Sequence, residues 1–289
     1  SEMCIRDRDS MPVRSPTARV RMRPISLEFA STFGLPPVEA VRLASRLGFR
    51  HISTPLQPAR ASLAGYQRFS LRDDIVLRRD LRAAMAETGV TIASGEGVAI
   101  VPEHDVRDLY SGDLAIMEGL GIPRINVVSL DPDLPRSFDQ LAMLCELASG
   151  FGIETLIEFV PIFPICNLET AQRAIAHVGR RDCRVMFDTM HFCRTGGRPA
   201  DLAAFDPDAI GYIQLCDVPA QRVLADYMEE AICERLACGE GDLPLAELLA
   251  LLPKDRIVGL EVPQRSQQLA GVPLEERLAH CLAAARRFV

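Results

Sequence analysis

Residues 124–160 read RINVVSLDPDLPRSFDQLAMLCELASGFGIETLIEFV. Its two ends, RINVVS (124–129) and ETLIEFV (154–160), are mostly apolar runs containing β-branched residues, the pattern of strands buried on both faces. Between them, SFDQLAMLCELASGFG (137–152) repeats apolar residues at helical spacing and stops on a glycine. A strand, a helix and a second strand form a crossover unit, and such a crossover is what joins parallel strands.

The unit recurs along the chain. Further strands are predicted at ISLEFA (25–30), FRHIST (49–54), VTIAS (90–94), RVMFD (184–188), IGYIQLC (210–216) and RIVGLEV (256–262). Helices are predicted at 36–48, 73–89, 111–121, 167–179, 243–253 and 273–288. The first opens on Pro36-Pro37 and stops at Gly48, a sound start and stop pair. The sixth connection offers only the short ADLAAFD (200–206). Strand-then-helix alternation through eight strands implies a closed (β/α)8 TIM barrel in one α/β domain, residues 23–289. The alternative is an open doubly wound sheet. It more often carries a glycine-rich phosphate loop after its first strand, whereas STFGLPP (31–37) holds neither GxGxxG nor a Walker loop.

Composition narrows the function. A net charge of −7 gives no general attraction to nucleic acid or to an anionic membrane surface. No apolar run reaches the ~18 to 20 residues that span a bilayer. The nine cysteines show no CxxC pair, which reads as reduced thiols in a cytoplasmic protein. Residues 1–22 are Arg-rich and aperiodic, yet they carry Glu2, Asp7 and Asp9, which a mitochondrial presequence avoids. They are set aside as a disordered, non-native or leader-like head, with Met11 or Met22 as the expected native start.

In such a barrel, chemistry sits at the carboxyl ends of the strands. The residues that break the apolar runs there are Glu158 on the fifth strand, Asp188 on the sixth, Gln214 and Asp217 on the seventh, and Glu261 on the eighth. Taken singly, each has a bland reading: a helix cap, half of an ion pair, or a satisfied core amide. Taken together they bring oxygens from four successive strands to one mouth. Crowded carboxylates repel one another, and one divalent cation removes that cost. An all-oxygen set favours Mn²⁺ or Mg²⁺, with Co²⁺ or Zn²⁺ as further options.

The segments LIEFVP (156–161), FDTMHFCRTGG (187–197), IGYIQLCDVP (210–219), CGEGDLPL (238–245) and GLEVP (259–263) resemble the xylose isomerase-like barrels, also called the sugar phosphate isomerase/epimerase superfamily. The resemblance covers most of residues 24–289. It implies that Glu158, Asp188, Gln214 and Glu261 bind one divalent metal. It further implies that Glu158 and Glu261 exchange protons with the substrate, and that His191 contacts substrate oxygens or moves a proton. The implied activity is isomerisation or epimerisation of a sugar or sugar derivative. A proton leaves the carbon next to a carbonyl, giving a metal-stabilised enediolate. Many relatives place His where this chain has Gln214; the Gln version is similar to that of 3-dehydroshikimate dehydratases. The alternative is therefore a lyase acting on a cyclic keto-polyol such as 3-dehydroshikimate or an inosose.

Further substrate contacts are expected from Arg222, Glu96 and Asp217, with a surface arginine, a turn acid and a cap as their bland counterparts. Cys193 and Cys216 have no paired base and read as packing thiols. Related barrels that cut DNA at abasic sites use histidine-held zinc clusters. Five histidines, only one of them placed as a ligand, and no basic surplus argue against that reading here. A small sugar-like molecule is the expected partner, with a homo-oligomer as a further expectation.

Overall fold

A computed structural model describes residues 23–289; the expectation for the head lies outside the described residues. Eight parallel strands close in chain order: β1 (Ile25–Leu27), β2 (His51–Pro55), β3 (Thr91–Ile100), β4 (Arg124–Ser129), β5 (Glu154–Glu158), β6 (Cys183–Asp188), β7 (Ile210–Leu215) and β8 (Val258–Leu260). Pairing of β1 with β8 completes the ring, so no edge is left open. Outside it lie α1 (Pro37–Leu47), α2 (Ile75–Thr88), α3 (Val106–Gly119), α4 (Leu134–Gly150), α5 (Leu168–Val178), α6 (Thr189–Arg194), α7 (Pro199–Ala203), α8 (Tyr227–Cys233), α9 (Leu245–Leu251), α10 (Arg265–Leu269) and α11 (Leu274–Ala285). No helix among the described residues is long and apolar enough to cross a membrane.

Several boundaries differ from the sequence expectation for local reasons. Helix α3 begins earlier than residue 111, because Asp105 caps it by accepting the Arg107 N–H. Strand β3 runs past Ser94 through SGEGVAI. Gly97 sits at φ 84°, and the register against β4 jumps between Gly95 and Val98. That bulge turns Glu96 toward the mouth. Strand β8 is only three residues long, since the Ser31 hydroxyl donates to Leu260 O (2.8 Å) and accepts from Val262 N (2.7 Å). The weak sixth connection holds two short helices, α6 and α7, and α8 and α10 lie in stretches with no predicted helix.

Inside the barrel, Ala93, Leu156, Met186 and Tyr212 pack as a separate apolar layer beneath the mouth. The Tyr212 hydroxyl donates to Glu28 Oε1 at 2.7 Å. Gly259, opposite Ser26 in the ladder, leaves the space that Glu28 fills, and a Cβ there would run into the Glu28 carboxyl. Gly259→Ala is therefore expected to destabilise the protein by about 1–3 kcal/mol through overpacking. Urea unfolding of Gly259→Ala beside the wild type checks this, and an unchanged midpoint would show that Glu28 moves aside freely.

Candidate metal and substrate site

Asp188 ends β6 and starts α6, and it has two duties. Its Oδ1 accepts the His191 N–H at 2.8 Å, an N-cap, while its Oδ2 accepts from Arg235 Nη1 at 2.6 Å. Cap and expected ligand are one residue. Burial pushes its carboxyl upward, but the Arg235 guanidinium, the His191 imidazole and the His191 N–H outweigh burial and hold it down at about 2.

The cap also aims His191. Its Nδ1 lies 2.5 Å from the Tyr227 hydroxyl, and its Nε2 lies 3.3 Å from Glu158 Oε1. Burial raises the Tyr227 phenol well above its usual range, so it stays protonated beside Nδ1. Glu158 Oε2 in turn accepts from Asn126 Nδ2 at 2.6 Å.

Arg235 bridges two of the expected ligands. Its second terminal nitrogen, Nη2, sits 3.0 Å from Glu261 Oε2, and the residue is only 2 % exposed. Gln214 Nε2 lies 3.4 Å from Glu261 Oε1, which leaves the buried Gln214 Oε1 without a partner among the described residues. Burial raises the Glu261 carboxyl well above its usual range; Arg235 opposes this, and Glu158, Asp188 and Glu96 reinforce it.

A loop clamp delivers Arg235 to the site. Asp217 Oδ1 accepts the N–H groups of Val218 (2.9 Å) and Leu243 (3.1 Å), and Oδ2 accepts that of Gly239 (2.9 Å). Asp217 and Leu236 also exchange backbone bonds of 3.0 and 2.8 Å. Gly241 passes so close that a Cβ would strike Asp217 Oδ1. The expectation that Asp217 touches substrate is thus corrected, because its oxygens are taken by backbone N–H groups. Its work is to hold the CGEGDLPL loop, and with it the neighbouring Arg235. Arg222 lies exposed on the loop after β7 and bonds to nothing among the described residues. Arg235 is the arginine that reaches the carboxylates. Arg194 pairs with buried Glu230 at 2.8 Å and caps the carbonyls of Pro219 and Ala220, a structural role.

Glu96 Oε2 accepts from Asn126 Nδ2 at 3.2 Å. Its Oε1 is buried and has no partner among the described residues. Burial, then the charges of Glu28 and Glu158, push its carboxyl up to about 8. Glu28, just after β1, is likewise raised, chiefly by burial. The rule that selects Glu158 also selects Glu28, since the run ISLEFA breaks on it. Asn126 breaks RINVVS in the same way. Arg235 and Tyr227 have no such signal, because both come from the long connection after β7.

These raised carboxyls fix the sign of a pH effect. A folded-state value near 8 against an ordinary 4.5 means that Glu96 binds its proton more tightly when folded. Its contribution is fully present at low pH and is lost as pH rises through about 8. Glu28 and Glu261 add the same sign. Asp188 acts oppositely, and only as pH falls toward 2. Metal-free protein is therefore expected to lose a few kcal/mol between about pH 5 and about pH 8. Glu96→Gln should flatten that slope in urea titrations. A slope unchanged by the substitution would show that Glu96 is not its source.

The residues present fit a divalent cation. Glu158, Asp188 and His191 each offer a ligand atom, and these atoms lie within 4.8 Å of one another. The bare Gln214 Oε1 is a further buried acceptor waiting for positive charge.

A closed parallel barrel with acids and a histidine gathered at its carboxyl-terminal mouth defines the class as a (β/α)8 barrel. The chain belongs to the Xylose isomerase-like TIM barrel family, whose sequence model matches residues 41–286. Among solved structures it is similar to the IolI protein with a bound zinc atom, at TM-score 0.75 and 18% identity, over 93% of this chain and 98% of that one. It is also similar to the probable 3-DHS dehydratase AsbF of Bacillus anthracis, at TM-score 0.70 and 14% identity, over 90% and 97% of the two chains. D-psicose 3-epimerase, solved in the presence of D-fructose, aligns at TM-score 0.68 and 14% identity, over 92% and 99%. At these identities the likeness shows the fold. No curated protein matches the chain.

Proposed function

We propose that this barrel is a divalent-metal-dependent isomerase or epimerase of a sugar or sugar derivative. One observation carries the reading: Glu158, Asp188, Gln214 and Glu261 lie at or next to the carboxyl ends of four neighbouring strands of one barrel, and the buried Gln214 Oε1 has no partner among the described residues. Glu158, Asp188, Gln214 and Glu261 would hold the ion, Mn²⁺ or Mg²⁺ by their oxygen chemistry. When bound, the ion supplies positive charge that polarises a substrate carbonyl.

The remaining steps belong to the side chains. Glu158 and Glu261 flank the set on β5 and beyond β8. One takes the proton from the carbon beside the carbonyl and the other returns a proton. Return to the opposite face of the same carbon is epimerisation; return to the neighbouring carbon is isomerisation. His191 contacts a substrate oxygen through Nε2 and stays oriented by Tyr227 and the Asp188 cap. Arg235 holds Asp188 and Glu261 in place before the ion arrives.

A lyase reading has its own support in Gln214, since a glutamine at this position is the feature shared with 3-dehydroshikimate dehydratases. Loss of a β-hydroxyl after the same proton abstraction gives dehydration. Incubation with Mn²⁺ in D₂O across keto-sugars and keto-cyclitols tests the common step through deuterium at the carbon next to the carbonyl. A new aromatic absorbance from 3-dehydroshikimate would select the lyase. Absence of deuterium from every compound, with Mn²⁺ bound, would remove the proton-transfer reading.

A further inference from the structure

The face of the barrel opposite the mouth carries a cavity of about 770 Å³. It opens at the amino-terminal ends of three strands. Arg23 precedes β1, Arg50 precedes β2, Lys254 and Asp255 precede β8, and Arg286 follows α11. Four of these five side chains are cations, in a chain whose net charge is −7.

Little neutralises them. Asp255 is the acid of the cavity, and Arg256 Nη1 holds it at 2.5 Å. None of the four cations forms an ion pair among the described residues. Arg23 Nη2 and Lys254 Nζ both donate to the Leu249 carbonyl, at 3.1 and 2.6 Å, so two cations crowd one oxygen. Burial, and then the Arg23 charge, lower the Lys254 ammonium from its usual range. Arg286 Nη2 makes one long bond, of 3.4 Å, to the Gly48 carbonyl. The exposed Arg50 guanidinium bonds to nothing among the described residues.

Arg23 is 6 % exposed, and its Nη1 is buried without a partner among the described residues. That enclosed nitrogen adds charge and not contact. Contact falls to Arg50, Lys254 and Arg286, all exposed on the cavity wall. Like charges held together without counter-charge repel, and an anion among them removes that cost. Guanidinium forks match the paired oxygens of a phosphoryl group. One phosphoryl group carries about −1.5 to −2 at neutral pH, so two are needed to offset four cations.

We infer that this cavity binds a small anion carrying two phosphoryl groups, at a site separate from the proposed metal ligands. Arg50, Lys254 and Arg286 make its contacts. The carbonyls of Leu249 and Leu252, which accept from Arg23 Nη2, hold the buried charge in place behind them. The mouth, at the other end of the strands, takes no part, so the site does not depend on the proposed reaction.

Calorimetric titration of the full chain is the test, in EDTA so that no metal collects phosphate. Pyrophosphate is expected to bind, and inorganic phosphate to bind about tenfold more weakly or worse at matched ionic strength. Arg50→Ala/Lys254→Ala, confirmed as folded by circular dichroism, is expected to weaken pyrophosphate about tenfold or more. Arg50→Ala alone breaks no bond among the described residues and is expected to weaken it about threefold; it decides the matter if the double variant does not fold. Arg180→Ala/Arg181→Ala, just before β6 on the same face, is the control and should stay within about twofold of wild type. No binding of pyrophosphate overturns the inference. So does equal binding of phosphate, an affinity unchanged in Arg50→Ala, or an equal loss in the control. D-fructose 1,6-bisphosphate, titrated in parallel, separates the two sources of such an anion. Tighter binding than pyrophosphate, lost in the Arg50 and Lys254 variant, assigns phosphoryl groups held apart on carbon; weaker binding assigns free diphosphate.

Discussion

Arg235→Met in the metal-free protein is expected to cost about 3–5 kcal/mol, the scale of breaking a buried ion pair by removing one partner. Arg235 is the counter-charge between Asp188 and Glu261, with contacts of 2.6 and 3.0 Å. Without it, two buried carboxylates face each other beside Glu158, and Asp188 loses the main influence holding it near 2. A divalent ion should repair much of this loss, because it restores positive charge at the same carboxylates. Urea unfolding in EDTA and in Mn²⁺ is the measurement. A deficit that Mn²⁺ does not reduce would show that Arg235 serves packing and not the charge balance. The wild type carries the converse: arginine and metal share two carboxylates, so Arg235→Met is also expected to bind Mn²⁺ more tightly than wild type.

Glu158→Gln is expected to reduce deuterium exchange into a responding substrate by about 10²- to 10⁴-fold, the usual contribution of a positioned acid–base group. Glutamine keeps the shape and still accepts from Asn126, but it cannot take a proton from carbon. The fold should survive, since the substitution takes one acid from a mouth that also holds Glu28, Glu96, Asp188 and Glu261. Full exchange in Glu158→Gln would remove this residue from the proton-transfer role. Loss of exchange together with loss of folding would point to the Asn126–Glu158–His191 chain as structural.

How much was legible depended on whether a residue sits on a strand. Glu158, Asp188, Gln214 and Glu261 interrupt apolar runs, and on a doubly covered strand an interruption stands out because burial of a lone carboxylate is costly. Glu28 and Asn126 obey the same rule. Glu96 follows Ser94 and Gly95, so its inward aim depends on a bulge that propensity does not reveal. Asp217 looked like the other strand-end acids, yet its neighbours are backbone N–H groups from a loop folded back over β7. A loop that returns over more than twenty residues leaves no periodicity to read.

The amino-acid sequence by itself determined the barrel and the acid-rich mouth. Hydrophobic runs alternating with amphipathic ones leave parallel pairing as the arrangement that buries both faces of every strand. Tertiary structure alone decided how those acids are compensated. Arg235 and Tyr227 reach the site from the connection after β7, and they set the charge of Asp188 and the orientation of His191. It alone decided which buried oxygens stay bare. Electrostatic balance in a dry mouth depends on distances of a few ångströms between groups far apart in the chain, and chain order carries no record of such distances.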